Sequence, residues 1–246
     1  MGLSSNSLIH FTKQKNSLIG ILQDNFKIYH CVEHIDTSTG HFEAAIPMVS
    51  FCDIPLSEIK SHIDNYGCYG LGLKKSWAIR KGLNPVLYIE KESDLGGDIK
   101  KTVSLLLKNK DWQKLTNEEF TFINLFRYMK NYQNNLSRNG RNIPNYRFSD
   151  EREWRYVPPK NPTVPPVLPL NLFDNNEKKD IANKGLEKMR LEFTPDDISY
   201  IIINDESEIG EFINVLRYAK GKNYTHEQVE RLMTRIFTTE QIKTDI

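Results

Sequence analysis

The sequence lacks an excess of either charge sign: 33 Lys and Arg residues face 32 Asp and Glu residues, for a formal net charge of +1 over 246 residues. A chain that gathers nucleic acid or anionic lipid over its whole surface carries a clear positive excess. The composition therefore excludes attraction by a global field. Any binding of that kind would depend on a local basic patch.

Cysteines and long apolar runs are also scarce. Cys31, Cys52 and Cys68 are odd in number and far apart, as is typical of reduced thiols rather than a disulfide framework. The N-terminus has no charged segment followed by an apolar one, and no stretch approaches the roughly 20 apolar residues of a membrane span. We therefore expect a soluble cytoplasmic protein that does not act at a membrane.

Several common catalytic motifs are absent. The sequence has no Gly-x-Ser-x-Gly, no Walker loop and no Gly-x-Gly-x-x-Gly after a strand, which argues against hydrolase, NTPase and Rossmann folds. Cys31 and His34 have the Cys-x-x-His spacing of a zinc site, near His30, His41 and Cys52. No second pair of ligands completes that pattern, so we expect no metal.

Alternating strand and helix patterns predict an α+β fold. A helical insertion is expected at about 98–136, where Thr116 and Glu119 form a capping box, and a proline-rich strap at 157–170. Another capping box, formed by Thr225 and Gln228, is expected to open a helix near the C-terminus. The β-branched run Ile198–Ile203 is the most apolar in the chain. It should lie inside a sheet shared with the first half of the sequence, which favours one domain over residues 1–246.

The segment from Tyr146 to Tyr156 has the pattern of a site. Glu151 and Glu153 lie two residues apart in an aromatic, β-prone run, which would place both carboxylates on one face of a strand. Such a pair can stabilise a positively charged sugar transition state and position an acceptor. The alternative is a solvated edge strand on which Arg152 and Arg155 offset the acids.

Three further residues are candidates for ligand contact. His10 ends a short strand before a helix, where side chains often face a cleft. A lone histidine in such a place is more often structural, hydrogen-bonded near the start of the helix. Tyr66 and Tyr69 flank Gly67 in a glycine-rich run, so either ring could stack on a flat heterocycle such as nicotinamide. Both tyrosines could instead cap the core.

Several of these motifs, in this order, resemble the bacterial abortive-infection family AbiGi. They are listed here: Leu8–Thr12, Ser50–Pro55, Tyr66–Leu73, Trp77, Glu151–Arg155 and Arg235–Ile242. Members of that family are often labelled as the antitoxin of a phage-exclusion pair. The same order distantly resembles the ADP-ribosyltransferase fold, which implies a split β-sheet core, the helical insertion and a C-terminal strand-helix-helix extension.

The second resemblance implies roles for individual residues in binding NAD, the substrate and only cofactor. His10 would hold a ribose hydroxyl, Tyr69 or Tyr66 would stack on nicotinamide, and Arg155 would orient the strand or contact phosphate. Glu153 would be the catalytic glutamate and Glu151 an acid on the acceptor side.

The resemblance thus implies an enzyme of a phage-defence, toxin-antitoxin system that transfers ADP-ribose to a macromolecular target. The alternative is an inactive antitoxin or regulator that binds protein or nucleic acid. Its contact surface would then be the basic, aromatic segment 127–147. A cognate toxin or antitoxin partner fits either hypothesis.

Overall fold

A computed structural model describes residues 5–107, 114–138, 141–221 and 223–245. The chain forms two compact units that each combine separate segments. Unit 1 comprises Met1–Lys27, Ser50–Leu83 and Arg190–Ile246, and unit 2 comprises Ile28–Val49 and Asn84–Met189. That residues 1–246 fold as one domain stays a prediction.

The described helices and strands have the following bounds. The helices are α1 Lys15–Asp24, α2 Lys60–Tyr66, α3 Lys75–Arg80, α4 Asp94–Leu107, α5 Asn117–Phe126, α6 Asn176–Lys184, α7 Ile209–Lys220, α8 His226–Met233 and α9 Thr239–Asp245. The strands are β1 Ser7–Thr12, β2 Phe26–Lys27, β3 Tyr29–Thr37, β4 Gly40–Cys52, β5 Tyr69–Lys74, β6 Asn84–Pro85, β7 Leu87–Ile89, β8 Met129–Asn131, β9 Gln133–Arg138, β10 Arg141–Arg147, β11 Glu153–Tyr156, β12 Leu168–Pro169, β13 Arg190–Leu191, β14 Ile198–Ile203 and β15 Ile236–Thr238. The chain contains helices together with parallel and antiparallel strand pairs, which confirms the mixed α and β class.

Unit 1 is organised by a sheet around β5. This strand pairs antiparallel with β1 on one side and with β14 on the other, and β14 in turn pairs parallel with β15. On the far side of β1, Ile9 pairs with Cys52 at the end of β4. Because β14 has neighbours on both edges, the apolar sequence expected inside a sheet is indeed there.

This pairing corrects the expected C-terminal strand-helix-helix extension. β14 is an interior strand of unit 1, and Ile198, Ile201, Ile202 and Ile203 are all completely buried. The C-terminal segment therefore completes a sheet begun by β1 and β5. The sequence pattern identified the strand and helices correctly but missed β15, which is only three residues long.

The glycine-rich run on β5 makes room for neighbouring side chains of unit 1. A Cβ atom added at Gly72 would collide with the ring of Tyr200 on β14, and one at Gly70 would press on Phe11 and Ile202. The close approach expected of these glycines is thus made by aromatic and aliphatic side chains. Gly67 has φ of +120°, which favours glycine at the end of α2.

In its described residues, unit 2 combines a sheet that contains β3, β4, β12, β11 and β6 with two separate two-stranded sheets and three α-helices. β3 and β4 form a long antiparallel hairpin, β12 pairs with β4, β6 with β11, and β7 with β8 in parallel. Its main apolar cluster joins residues of the β3-β4 hairpin, α4, α5 and β8, including Ile35, Ile46, Ile123 and Phe126. These contacts position β11 and β8, which carry the candidate site.

The helical insertion in unit 2 is shorter than the sequence pattern predicted. Helices occupy Asp94–Leu107 and Asn117–Phe126, but β8 and β9 follow, so the expected helical range of about 98–136 extends too far. Residues 108–113 lie outside the described part of the chain. The Thr116 capping box is present, with both of its hydrogen bonds.

The strap at 157–170 is extended, and its apolar residues are anchored. Asn161 and Val164 form an isolated bridge, and Leu168 and Pro169 pair with β4. Val164, Val167 and Leu168 are buried, so the strap packs on unit 2. Within the described residues, no helix combines the length and apolar character needed to cross a bilayer.

Candidate functional site

The candidate carboxylates lie in unit 2, where a turn leads into a strand. Residues 148–151 form a 3₁₀ turn, Arg152 adopts a left-handed backbone with φ of +46°, and β11 begins at Glu153. The prediction that Glu151 and Glu153 share one strand face is therefore wrong, because Glu151 belongs to the turn. Both side chains are nevertheless buried.

Burial alternates along β11 as a strand requires. Glu153 and Arg155 are buried on one face, while Trp154 and Tyr156 are half-buried on the other. The alternative of a solvated edge strand is also wrong for this segment, because Glu151, Glu153 and Arg155 are all buried inside the unit. Arg155 is completely inaccessible to solvent.

Arg155 is the hub of the cluster. Its Nε donates to Glu153 Oε1 at 2.6 Å, and its Nη2 lies 2.9 Å from Glu33 Oε1 on β3. Nη1 donates to the carbonyl oxygens of Arg127 and Met129 at 3.1 and 3.3 Å. A buried guanidinium needs such a complete set of acceptors, because an unpaired charge there costs several kcal/mol.

Glu153 is held by cations at both carboxylate oxygens. Lys130 Nζ on β8 donates to Oε2 at 2.8 Å, opposite the Arg155 bond to Oε1, and the Glu153 backbone NH donates to the Tyr88 hydroxyl at 2.9 Å. Burial alone would raise the pKa of Glu153. The charges and hydrogen bonds of Arg155 and Lys130 outweigh it and hold that pKa well below its usual range.

Glu151 has the opposite ionisation. Its burial, followed by the charges of Glu153 and Glu33, raises the pKa of Glu151 to about 9. Lys130 Nζ lies 3.6 Å from Glu151 Oε2 but makes its short bond to Glu153, so its charge chiefly stabilises Glu153. Glu151 is consequently a neutral acid at pH 7.

The cluster is charge-balanced when Glu151 is protonated. The carboxylates of Glu33 and Glu153 then match the cations of Arg155 and Lys130. Two chemical capabilities follow. A neutral carboxyl beside an ionised one can divide two roles, because the neutral group can act as a general acid and the anion can stabilise a developing positive charge. The same arrangement also stabilises a fold in which two acids are buried beside two cations.

His10 lies in unit 1, whereas Glu151, Glu153 and Arg155 lie in unit 2. Its Nδ1 is 2.9 Å from the Ser50 carbonyl oxygen, which can only accept, so Nδ1 carries the proton. The ring also contacts Phe26 and Phe51, with centroids 5.2 and 5.6 Å away. Burial lowers the pKa of His10, so it is a neutral histidine packed among aromatic rings. Its contact with a ribose hydroxyl stays a prediction.

Both candidate tyrosines are also in unit 1 and have partners of their own. The Tyr69 hydroxyl donates to Glu208 Oε1 at 2.8 Å, and its buried ring lies 6.5 Å from that of Phe212. Tyr66 ends α2, is half-buried and stacks on His62 at 5.7 Å. Stacking of either ring on nicotinamide stays a prediction.

Sequence reasoning missed two members of the cluster. Glu33 lies on β3 and Lys130 on β8, each far in sequence from Glu153, and neither occurs in a recognisable motif. Lys130 carried a signal only as one cation of a basic segment.

In the suspected metal cluster, His34 stacks on His41 and bonds to Asp36 and Glu43. Among the described residues, no three His, Cys, Asp or Glu side chains form a metal-binding group.

Comparison with known proteins identifies the family. Residues 26–204 match the model of a family described as "Putative abortive phage resistance protein AbiGi, antitoxin". The chain belongs to the AbiGi family. A similar curated relative is the "Abortive phage resistance protein AbiGi" of Lactococcus lactis subsp. cremoris, 26% identical over 221 residues. That alignment covers 81% of this chain and 88% of the relative.

No solved structure matches the chain significantly. The family assignment agrees with the resemblance carried by the ordered sequence motifs. The match at residues 26–204 includes both Glu33 and the segment Glu151–Arg155, so the whole charged cluster belongs to the AbiGi region. His10 lies before that region.

Proposed function

We propose that this AbiGi-family protein is the antitoxin of a phage-resistance pair and restrains its toxin without transferring ADP-ribose. The family description calls its members antitoxins. The observation that carries the rest is the state of Glu153, whose two carboxylate oxygens are held by Arg155 and Lys130. A ribose hydroxyl would have to compete with these two charge-assisted bonds, which are among the strongest hydrogen bonds in proteins.

A second candidate function is ADP-ribosyl transfer from NAD by an ADP-ribosyltransferase-like fold. One observation favours it: Glu151 and Glu153 are adjacent acids whose pKa values are driven far apart. Such a division of ionisation states is typical of sites that use one acid and one anion. In this reaction Glu153 would stabilise the developing positive charge on the ribose, Glu151 would act on the acceptor, and His10 and Tyr69 would bind NAD.

A pair of charge-neutral double variants separates the two functions. E153Q with K130Q removes one acid and one cation and leaves Glu33 paired with Arg155. E33Q with K130Q makes the same charge change but leaves Glu153 paired with Arg155. Each double variant therefore keeps Arg155 compensated, whereas a single Gln substitution would cost roughly 3–5 kcal/mol by unbalancing a buried ion pair.

The wild type and both variants are tested in cells that express the toxin of the proposed pair, and the purified proteins are assayed for NAD consumption. We expect both to restore growth as well as the wild type does, within about twofold, with no NAD consumed. Circular dichroism melting checks that the two are equally folded. The proposal would be overturned, and the transferase favoured, if the wild type consumed NAD and E153Q/K130Q alone lost both growth rescue and NAD consumption.

A further inference from the structure

A small cavity in unit 2 is lined by the proline-rich strap, α5 and β4. Five prolines line it, four of them from the strap and one, Pro47, from β4. Phe120 of α5 adds an aromatic ring, so most of the wall is apolar. The space open to a group of water's size is about 10 Å³, which is enough for one such group. The cavity therefore fits a single atom or a very small molecule.

Arg127, which follows directly after α5, lines this cavity and is only 1% exposed. Its Nη2 donates to the Pro158 carbonyl oxygen at 3.0 Å, and its Nη1 donates to Asn124 Oδ1 at 3.2 Å. Both acceptors are neutral. The buried Nε has no hydrogen-bond partner among the described residues. A buried N–H group without an acceptor is destabilising, so the guanidinium lacks one acceptor.

The guanidinium of Arg127 also lacks a counterion. Among the described residues, no carboxylate forms an ion pair with it, whereas Arg155 meets both Glu153 and Glu33. Burial lowers the pKa of Arg127 to about 10, so the side chain is still a cation at pH 7. A buried cation without a partner is strongly unfavourable. The site therefore lacks one negative charge.

Lys160 brings a second positive charge to the same cavity. Its exposed side chain places Nζ 5.3 Å from the centroid of the Phe120 ring and 3.4 Å from Asn117 Oδ1. Both contacts are with neutral groups. In the part of the chain that the structure describes, the cavity lining holds the two cations Arg127 and Lys160 and no Asp or Glu. The electric field inside the cavity therefore favours an anion.

We propose that this cavity binds one monovalent anion of about chloride's size beside the Arg127 guanidinium. The anion supplies both the missing acceptor and the missing negative charge, whereas a water molecule supplies only the acceptor. Phosphate and sulfate carry four oxygens around a central atom and exceed the space for one water-sized group. Their higher charge also makes burial behind apolar walls more costly. The proposal goes beyond the antitoxin function and does not depend on it.

His30 on β3 reports on the charge of this cavity. It pairs with Pro47 in the register of β3 and β4, and it is buried. Asn183 Oδ1 accepts from the backbone NH and from Nδ1 of His30 at 2.9 and 3.1 Å. Burial, and to a smaller extent the charge of Arg127, lowers the pKa of His30 against the effect of the Asn183 bond. An anion that offsets the charge of Arg127 should therefore raise that pKa.

The first test uses the wild-type protein. Crystals are soaked in 100 mM sodium bromide, and we expect an anomalous difference peak in contact with the Arg127 guanidinium. In solution, chloride is compared with gluconate, a monovalent anion too large for the cavity. For a site half filled at about 10 mM, 100 mM chloride should raise the melting temperature by roughly 3–6 °C relative to gluconate. The pKa of His30, followed by NMR with H30Q to assign its signal, should be higher in chloride.

Three variants locate the effect. R127M should abolish the difference between chloride and gluconate, and K160Q should raise the chloride concentration at half filling by roughly two- to fivefold. K91Q is the matched control, because Lys91 is an exposed cation of the same unit outside the cavity lining, and it should behave like the wild type.

The wild-type results decide the proposal even if R127M does not fold. It is overturned if bromide peaks occur only at exposed side chains, which would be adventitious ions only. It is also overturned if chloride and gluconate give the same melting temperature and the same His30 titration, as a water molecule in the cavity would. A folded R127M that keeps the chloride effect would place the anion elsewhere.

Discussion

At the scale of single residues, ionisation is decided by which partners a side chain meets. Glu151 and Glu153 are both buried carboxyls separated by one residue, yet one is neutral and the other is charged at pH 7. The difference arises because Arg155 and Lys130 make their short bonds to Glu153. Spacing in the sequence identified both acids as unusual but could not assign their charges.

The neutrality of Glu151 makes stability depend on pH. The ordinary glutamate pKa of about 4.3 in an unfolded chain rises to about 9 in the fold, so the folded state binds the extra proton between these values. Stability should therefore fall as pH rises through that window, by up to about 1.4 kcal/mol per pH unit. Glu151→Gln should flatten this dependence and exceed the wild-type stability at pH 9.

Urea denaturation between pH 6 and 9 measures this effect. Glu177→Gln is the matched control, because Glu177 is an exposed carboxylate on α6 and its removal should leave the pH dependence unchanged. Parallel pH profiles for wild type and Glu151→Gln would show that Glu151 is already ionised in the folded protein.

At the scale of elements, local sequence signals set where helices begin, and packing sets which residues strands tolerate. The capping boxes expected at Thr116 and Thr225 are both present at the starts of α5 and α8. The spacing of small residues on β5 showed that something approaches its backbone closely. Only the register with β14 identified that neighbour as Tyr200.

Two glycines of unit 1 provide a matched test of this packing. Gly72→Ala should destabilise the protein by roughly 1–3 kcal/mol, because the new methyl group collides with the Tyr200 ring. Gly20→Ala, in the middle of α1, meets no atom within 4 Å and should stabilise by roughly 0.5–1 kcal/mol. Urea denaturation measures both changes. A neutral result at Gly72 would mean that the ring of Tyr200 moves aside freely.

At the scale of the whole molecule, the chain passes between the two units, so neither is a continuous segment. Unit 1 takes its first strand from the N-terminal segment and its interior strand β14 from the C-terminal one. Trp77, which is completely buried in unit 1, donates its indole NH to the Glu192 carbonyl oxygen from that C-terminal segment. The core of unit 1 therefore needs both ends of the chain.

A truncation tests this dependence. A chain of residues 1–189 lacks β14, so β5 loses one of its two neighbours and unit 1 should lose its tertiary structure. Trp77 emission should shift to the red relative to the full chain, with Trp112 and Trp154 replaced by Phe in both proteins. An unshifted Trp77 emission in the truncated chain would contradict the assignment of 190–246 to the unit 1 core.

The sequence by itself determined the family, the α and β class, the two capping boxes and the course of β1, α1 and β14, because these depend on local composition and periodicity. It also selected Glu153 and Arg155 as unusual. Tertiary structure alone decided that Glu33 and Lys130 join them, that Glu151 leaves the strand, and that β9 and β10 pair within the basic segment. Those outcomes depend on contacts between residues distant in sequence, which one sequence cannot specify.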